Sequence, residues 1–262
     1  MVDRFRSRLF GTSPSADHRS WAGRVTLVTG GNSGIGRAFV ERLVTANAKV
    51  ITCGRNQDTL RELQRKLPEV EVIACDIADR ADVLALANSI ETRHGKLDAL
   101  VNNAAIMERV NLLDDSVSDE RIAYEIAINL TGTILLTRRF LPLLRSSHCP
   151  MIIMITSGYA LLPATRAPTY SASKAGLRSF TLALRRQLNR VGIRVIEVLP
   201  PLVDTPATRV VRAPKMSADA LVDRVLRDID RGRDEILPGN VGLVPIMMRL
   251  APRYIARRVA ES

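Results

Sequence analysis

The sequence predicts an α/β fold in a single domain, a doubly wound parallel β-sheet with helices on both faces. Three observations carry that expectation. From Val25 onward, short β-branched runs alternate with longer amphipathic stretches. Several of the short runs are apolar almost throughout, as strands covered on both faces must be. The first of them opens directly into a glycine-rich turn, Thr29-Gly30-Gly31-Asn32-Ser33-Gly34-Ile35-Gly36, after which an apolar helical pattern begins.

Residues 1–20 are polar and basic, with Gly11 and Pro14 as breakers, and are expected to form a loose tail ahead of a domain spanning 21–262. Strands are expected at Val25–Thr29, Val50–Cys53, Val70–Cys75, Leu97–Asn102, Met151–Ser157 and Ile193–Leu199, with Glu235–Leu237 as a last edge strand. Between them, Leu60, Leu63 and Leu67 make one helical face that Pro68 ends, and Val83, Leu84, Ala87 and Ile90 make another. Ser118 is placed to cap a long helix running through Ile122, Ile126, Leu130 and Ile134 to about 145, and a second long helix is expected over about 170–190. A basic amphipathic stretch closes the chain at about 243–260, where Arg249, Arg253 and Arg257 stand beside Leu250, Tyr254 and Ile255. Such a stretch can lie on a membrane, but packing against a neighbouring subunit or the substrate lid is the favoured reading.

Composition narrows the function classes. No apolar run approaches the roughly 18 residues that a membrane span needs. The arginines at the start of the chain loosely suggest a mitochondrial presequence, which Asp3 weakens, and the first ten residues lack the apolar stretch of a secretory signal. The three cysteines, Cys53, Cys75 and Cys149, have no paired spacing and the three histidines are scattered, so no metal site is expected and a reduced, cytoplasmic location is. The net charge of +11 comes from arginines dispersed along the chain, and only 4% of residues are aromatic. Solvated helix faces and an anionic cofactor account for that charge better than nucleic acid does.

In open parallel sheets, ligands bind beyond the carboxyl ends of the strands, and the conspicuous residues fall there. The glycine turn follows the first strand, where glycines let the backbone approach a pyrophosphate and the helix N-terminus favours its charge. Asp76 closes the third strand, Asn102-Asn103-Ala104-Ala105 follows the fourth, Asn129 lies in the long helix and Ser157 ends the fifth strand. Thirteen residues after Ser157 comes Tyr170, with Lys174 four residues further on. Taken together, TGxxxGIG, the Asn-Asn-Ala pattern and YxxxK resemble the short-chain dehydrogenase/reductase family over about residues 22–240, whose fold is a Rossmann-type doubly wound parallel β-sheet.

The resemblance implies a catalytic set of Asn129, Ser157, Tyr170 and Lys174. Tyr170 would protonate the developing alkoxide, Ser157 would hold the substrate oxygen, Lys174 would bond the nicotinamide ribose, and Asn129 would position a water leading to Lys174. A phenol has a pKa of about 10, and a nearby cation lowers it. Lys174, one helical turn beyond Tyr170, is placed to do so. The implied cofactor site takes in Gly30, Asn32, Ser33, Gly34, Ile35 and Gly36 of the turn, Arg55, Asp76, Ile77, Asn103, Ala104, Tyr170 and Lys174. The loop Leu199-Pro200-Pro201-Leu202-Val203-Asp204-Thr205 resembles the family's PGxVxT, with Pro201 in place of glycine, and adds Val203 and Thr205. An NAD-preferring site carries an acid at the end of the second strand. Here Gly54-Arg55-Asn56 stands instead, so NADP(H) is expected in preference to NAD(H), with Gly54 leaving room for a 2′-phosphate and Arg55 binding it.

The expected activity is hydride transfer between NADP(H) and a small carbonyl or secondary alcohol, with ketone reduction the favoured direction. The alternative is a non-catalytic NADP(H)-sensing binder on the same fold, a class that usually loses the tyrosine or lysine kept here. The substrate pocket is expected to be mostly apolar, from Met107, Tyr159–Pro163 and the loop of about 202–214, with Arg109, Arg166, Arg209 and Arg212 nearby. By the family's pattern the two long helices pair across a two-fold axis, implying a homodimer or homotetramer. No nucleic-acid or membrane partner is expected.

Overall fold

A computed structural model describes residues 20–114 and 117–250 of the chain. The expected basic tail, but for Ser20, and the arginines at 253 and 257 lie outside the described residues. The strands are β1 (Val25–Thr29), β2 (Lys49–Gly54), β3 (Glu71–Ala74), β4 (Ala99–Asn102), β5 (Met151–Ile155), β6 (Arg194–Val198), β7 (Val203–Asp204), β8 (Met216–Ser217) and β9 (Glu235–Ile236). The helices are α1 (Gly34–Thr45), α2 (Gln57–Lys66), α3 (Arg80–His94), α4 (Asp119–Ile126), α5 (Thr133–Arg145), α6 (Pro168–Asn189), α7 (Ala218–Asp230) and α8 (Val244–Leu250).

Seven strands form one parallel sheet in the order β3-β2-β1-β4-β5-β6-β9. β7 and β8 pair separately in the loop region that follows β6. Strand alternation splits the core in two. Ile152 and Met154 of β5 face a cluster with Val83 and Leu86 of α3, Phe140 of α5 and Leu177 of α6. Met151, Ile153 and Ile155, one step out of phase, face Phe39 and Leu43 of α1 with Leu221 and Val225 of α7. Each such fully buried side chain contributes about 1.5–3 kcal/mol, so the sheet is held from both sides. Among the described residues no helix is long and apolar enough to cross a membrane.

The local signals are realised with most strand ends moved by one or two residues and with β7 and β8 unexpected, and three differences have a local cause. Ser118 caps α4 by accepting the Arg121 N–H at 3.4 Å. The long helix it starts is not one α-helix, however, because residues Ala127–Gly132 are π-helical between α4 and α5. In α3, Leu84 is 40% exposed and Leu86, which the periodicity did not single out, is buried. β5 stops at Ile155, two residues short of the expected end, because Ser157 leaves the sheet to begin a turn at Gly158–Ala160 and accepts the Tyr159 N–H at 3.1 Å.

The first strand order reversal falls between β1 and β4, which both lie at the centre of the sheet. Their carboxyl ends therefore open a crevice that no crossover helix covers.

Candidate active site

A cavity of 1480 Å³ occupies that crevice. Its floor is the turn after β1. Gly30 has φ +67°, which an L side chain rarely adopts, and its N–H donates to the Cys53 carbonyl at 2.7 Å. At Gly36 a Cβ would lie 2.2 Å from the Gly30 carbonyl oxygen, so the helix packs onto the turn only without a side chain there. Asn103 locks the neighbouring strand end to the same turn, its Nδ2 donating to the Thr29 carbonyl at 2.9 Å while its N–H donates to the Thr29 hydroxyl at 3.0 Å. Ser33, at the N-cap of α1, makes no side-chain capping bond. The first-turn amides of α1 and the Ser33 hydroxyl are thus placed for an anion.

At the end of β2, Arg55 reaches across to α4. Its Nη1 donates to the Tyr124 hydroxyl at 2.5 Å, and its guanidinium stands 5.3 Å from the centre of that ring. Tyr124 in turn donates to an Asp76 carboxylate oxygen. A side chain at position 54 would meet Asn32, whose Oδ1 would lie 2.9 Å from its Cβ. On the opposite side, the loop after β6 approaches the turn closely: a Cβ at Gly34 would be 3.1 Å from Thr205 Cγ2.

The other end of the cavity is built by β5 and α6. Tyr170 and Lys174 lie one turn apart on α6, and Pro168 opens that helix. The Lys174 ammonium is buried, donates to the Ile155 carbonyl at 3.0 Å and sits 5.7 Å from the centre of the Tyr170 ring. Tyr159 meets Tyr170 edge to face with ring centres 6.3 Å apart. Burial pushes the Tyr170 phenol up to about 12, with Glu125 and Tyr159 adding to it and the Ser157 hydroxyl opposing. Burial also pushes Lys174 down to about 8, with Glu125 opposing. The net shift of Tyr170 is therefore upward and set by burial, in place of the lowering expected from Lys174.

Of the residues singled out in the sequence, Gly30, Asn32, Ser33, Gly34, Ile35, Arg55, Asp76, Ile77, Asn103, Ala104, Ser157, Tyr170, Lys174, Val203 and Thr205 all line the one cavity. Gly36 and Asn129 stand behind its wall. Asn129 is buried in the π-helical segment, where its Oδ1 accepts the Ile106 N–H at 2.9 Å and its Nδ2 donates to the Ile106 carbonyl at 2.8 Å and the Ser173 hydroxyl at 3.2 Å. Met107, Arg109, Tyr159, Arg166 and Arg212 line the cavity as expected, whereas Arg209 does not. Sequence reasoning passed over Tyr124, the partner of Arg55, and Glu125, a fully buried acid on the same helix. A carboxylate one helical turn before Asn129, on the same face, was the available signal for Glu125.

A glycine turn and a Tyr–Lys helix that meet in one cleft at the sheet's switch point define an oxidoreductase of the nucleotide-binding α/β class. Residues 24–216 match the family model described as short chain dehydrogenase, and the chain belongs to the short-chain dehydrogenase/reductase family. It is similar to an uncharacterized oxidoreductase of Bacillus subtilis, DltE, being 34% identical over 216 residues that cover 80% of this chain and 86% of that one. Among solved structures, a short chain dehydrogenase from Burkholderia cenocepacia in complex with NADP superposes with a TM-score of 0.81 at 28% identity, covering 92% of this chain and 98% of that one. A 3-ketoacyl-(acyl-carrier-protein) reductase from Brucella melitensis complexed with NADH gives a TM-score of 0.76 at 25% identity, covering 83% of this chain and 97% of that one.

Proposed function

We propose that the protein is an NADP(H)-dependent carbonyl reductase acting on a small, largely apolar ketone. The observation that carries this reading is the convergence of Ser157, Tyr170 and Lys174 on one cavity whose far end is a side-chain-free glycine cradle. That cradle, the uncapped start of α1 and Asp76 suit a dinucleotide, and the relatives complexed with NADP and with NADH agree with a nicotinamide cofactor. Bound there, the nicotinamide supplies the hydride. The protein's part is orientation and proton transfer. Ser157 holds the carbonyl oxygen, and the Tyr170 hydroxyl gives it a proton as the alkoxide forms. The Lys174 ammonium stabilises the phenolate left behind.

The preference for the phosphorylated cofactor rests on Arg55, which lines the cavity at the end of β2, where residues 54–57 carry no carboxylate. Its contact with Tyr124 uses one face and one terminal nitrogen, leaving further donors for a phosphate. The pocket walls contributed by Met107, Tyr159 and Leu162 are apolar or aromatic, which favours a ketone with little polar surface. We infer that the molecule works as a homodimer or homotetramer in the cytoplasm, pairing through α5 and α6, where Leu182 is exposed.

The test is a panel of ketones and aldehydes followed by NADPH absorbance, with NADPH affinity measured separately by titration. Turnover of a ketone with NADPH supports the reading. NADPH binding without turnover on any member would replace it with that of a non-catalytic cofactor sensor.

A further inference from the structure

Glu125 is fully buried, and among the described residues no lysine or arginine forms an ion pair with it. A carboxylate in that position is costly unless donors surround it. They do. The Glu108 N–H donates to its Oε1 at 2.8 Å, and the Thr169 hydroxyl donates to its Oε2. One helical step later, Asn129 repeats the pattern, gripping the Ile106 backbone through both of its amide groups and the Ser173 hydroxyl at 3.2 Å. Three segments are in step: 125 and 129 on the long helix, 108 and 106 on the pocket wall after β4, and 169 and 173 on α6. Thr169 and Ser173 immediately precede Tyr170 and Lys174. Arg121 extends the series toward solvent, its Nη2 reaching the Glu108 carboxylate at 2.5 Å.

We propose that Glu125 is a positioning residue and the twin of Asn129, a second rung that fixes the wall carrying Met107 and Arg109 against the turn of α6 that carries Tyr170. The assignment rests on the role given to Tyr170 above. An apolar residue would fill the same space but would leave the Glu108 N–H and the Thr169 hydroxyl without an acceptor. The rung joins two walls of the cavity to each other through α4, so its loss loosens the substrate's surroundings before it loosens the sheet. Its carboxylate also adds to the burial-driven rise of Tyr170 and opposes the burial-driven fall of Lys174.

The test compares Glu125→Ala, Glu125→Gln, Thr169→Val and the Ala/Val double variant. The readouts are NADPH affinity, kcat and KM for a ketone of the panel, thermal midpoint, and amide hydrogen exchange across residues 105–110. A glutamine can accept the Glu108 N–H through Oε1 and donate to the Thr169 oxygen through Nε2. We expect Glu125→Ala to lower kcat about tenfold or more and to raise the ketone KM, with NADPH affinity held within about twofold and exchange at 105–110 accelerated. Glu125→Gln should return kcat to within about threefold of wild type with normal exchange. Thr169→Val should cost about three- to tenfold in kcat, and nothing further when Glu125 is already alanine. If the alanine variant does not fold, Glu125→Gln and Thr169→Val carry the comparison. Wild-type kcat and KM in Glu125→Ala, additive effects in the double variant, or a loss of NADPH affinity parallel to the loss of kcat would each overturn the proposal. A wild-type chain inactive on the whole panel would sink the reductase reading instead. The rung would then stand or fall on whether exchange at 105–110 quickens in Glu125→Ala and is normal in Glu125→Gln.

Discussion

The Lys174 ammonium is buried 5.7 Å from the centre of the Tyr170 ring, and its hydrogen bond to the protein goes to the Ile155 carbonyl. A cation is thus stored in the cavity wall beside a phenol that burial keeps protonated. Both groups lie on the cavity surface, so each is desolvated yet reachable by a ligand.

Removing the phenol oxygen alone tests the proton transfer. Tyr170→Phe keeps the ring, its packing on Tyr159 and the glycine cradle, so NADPH affinity should persist while kcat falls by about 10² to 10⁴. Single-turnover measurement with a panel ketone checks this. A variant with most of its activity left would show that another group donates the proton.

Lys174 should cost the fold stability while serving the chemistry. Its pKa falls from 10.5 to about 8 on folding, so the unfolded chain binds more protons between those values and wild-type stability rises with pH across that window. Below about pH 8 the whole penalty is present. At roughly 1.4 kcal/mol per pKa unit, less the hydrogen bond to Ile155, Lys174→Met should gain about 1–2 kcal/mol at pH 7 in the cofactor-free protein. That is a rise of about 2–6 °C in Tm, narrowing as the pH is raised through about 8 toward 10, together with loss of turnover. Calorimetry at pH 7 and 9.5 decides; a lower Tm at pH 7 would mean the ammonium stabilises the wall.

Arg55 should decide between cofactors. A charge-assisted contact to a 2′-phosphate is worth about 1.5–3 kcal/mol, or roughly ten- to hundred-fold. Arg55→Ala should therefore lower kcat/KM for NADPH by that factor and leave NADH within about twofold. An unchanged ratio, or a wild type that prefers NADH, would show that the guanidinium only braces Tyr124.

Gly36→Ala probes the cradle. The added methyl would lie 2.2 Å from the Gly30 carbonyl oxygen, which is backbone and cannot swing aside. The helix start must retreat, at an overpacking cost of about 1–3 kcal/mol. NADPH affinity should drop at least about tenfold, while the far-ultraviolet spectrum stays native. Wild-type affinity would mean that the phosphates do not rest on this turn.

Much of this was legible along the chain. The glycine turn, the strand alternation and the Tyr170–Lys174 spacing are local, and each declares itself within a few residues. The phase of α3 was harder to read because Val83, Leu84, Leu86 and Ala87 are all apolar, which leaves the periodicity nearly isotropic. Glu125 was hidden for another reason. Its partners stand 17 and 44 positions away, and neither a backbone N–H nor a threonine hydroxyl leaves a pattern in the sequence. Tyr124 is likewise 69 positions from Arg55. The sign of the Tyr170 shift also needed the structure, since burial and a neighbouring cation act in opposite directions on a phenol and only the surroundings decide between them.

The π-helical stretch at Ala127–Gly132 frees the length of the helix around it from the direction of its two faces. A π turn takes in one residue more than an α turn, and this one separates a half that grips the pocket wall, through Arg121 and Glu125, from a half anchored in the core by Leu136 and Phe140. Deleting a single residue there would let the backbone relax into an uninterrupted α-helix, locally the more regular structure. Because the wide turn absorbs that residue, the two halves would keep about the same rotation relative to each other. The core grip and the wall grip could then both be kept, and what would be lost is the placement of Asn129 inside the wide turn. Single-residue deletions within these six residues should therefore spare both grips and strike at Asn129, whereas a deletion in α4 or α5, where no wide turn absorbs it, would rotate one half against the other by about 100°.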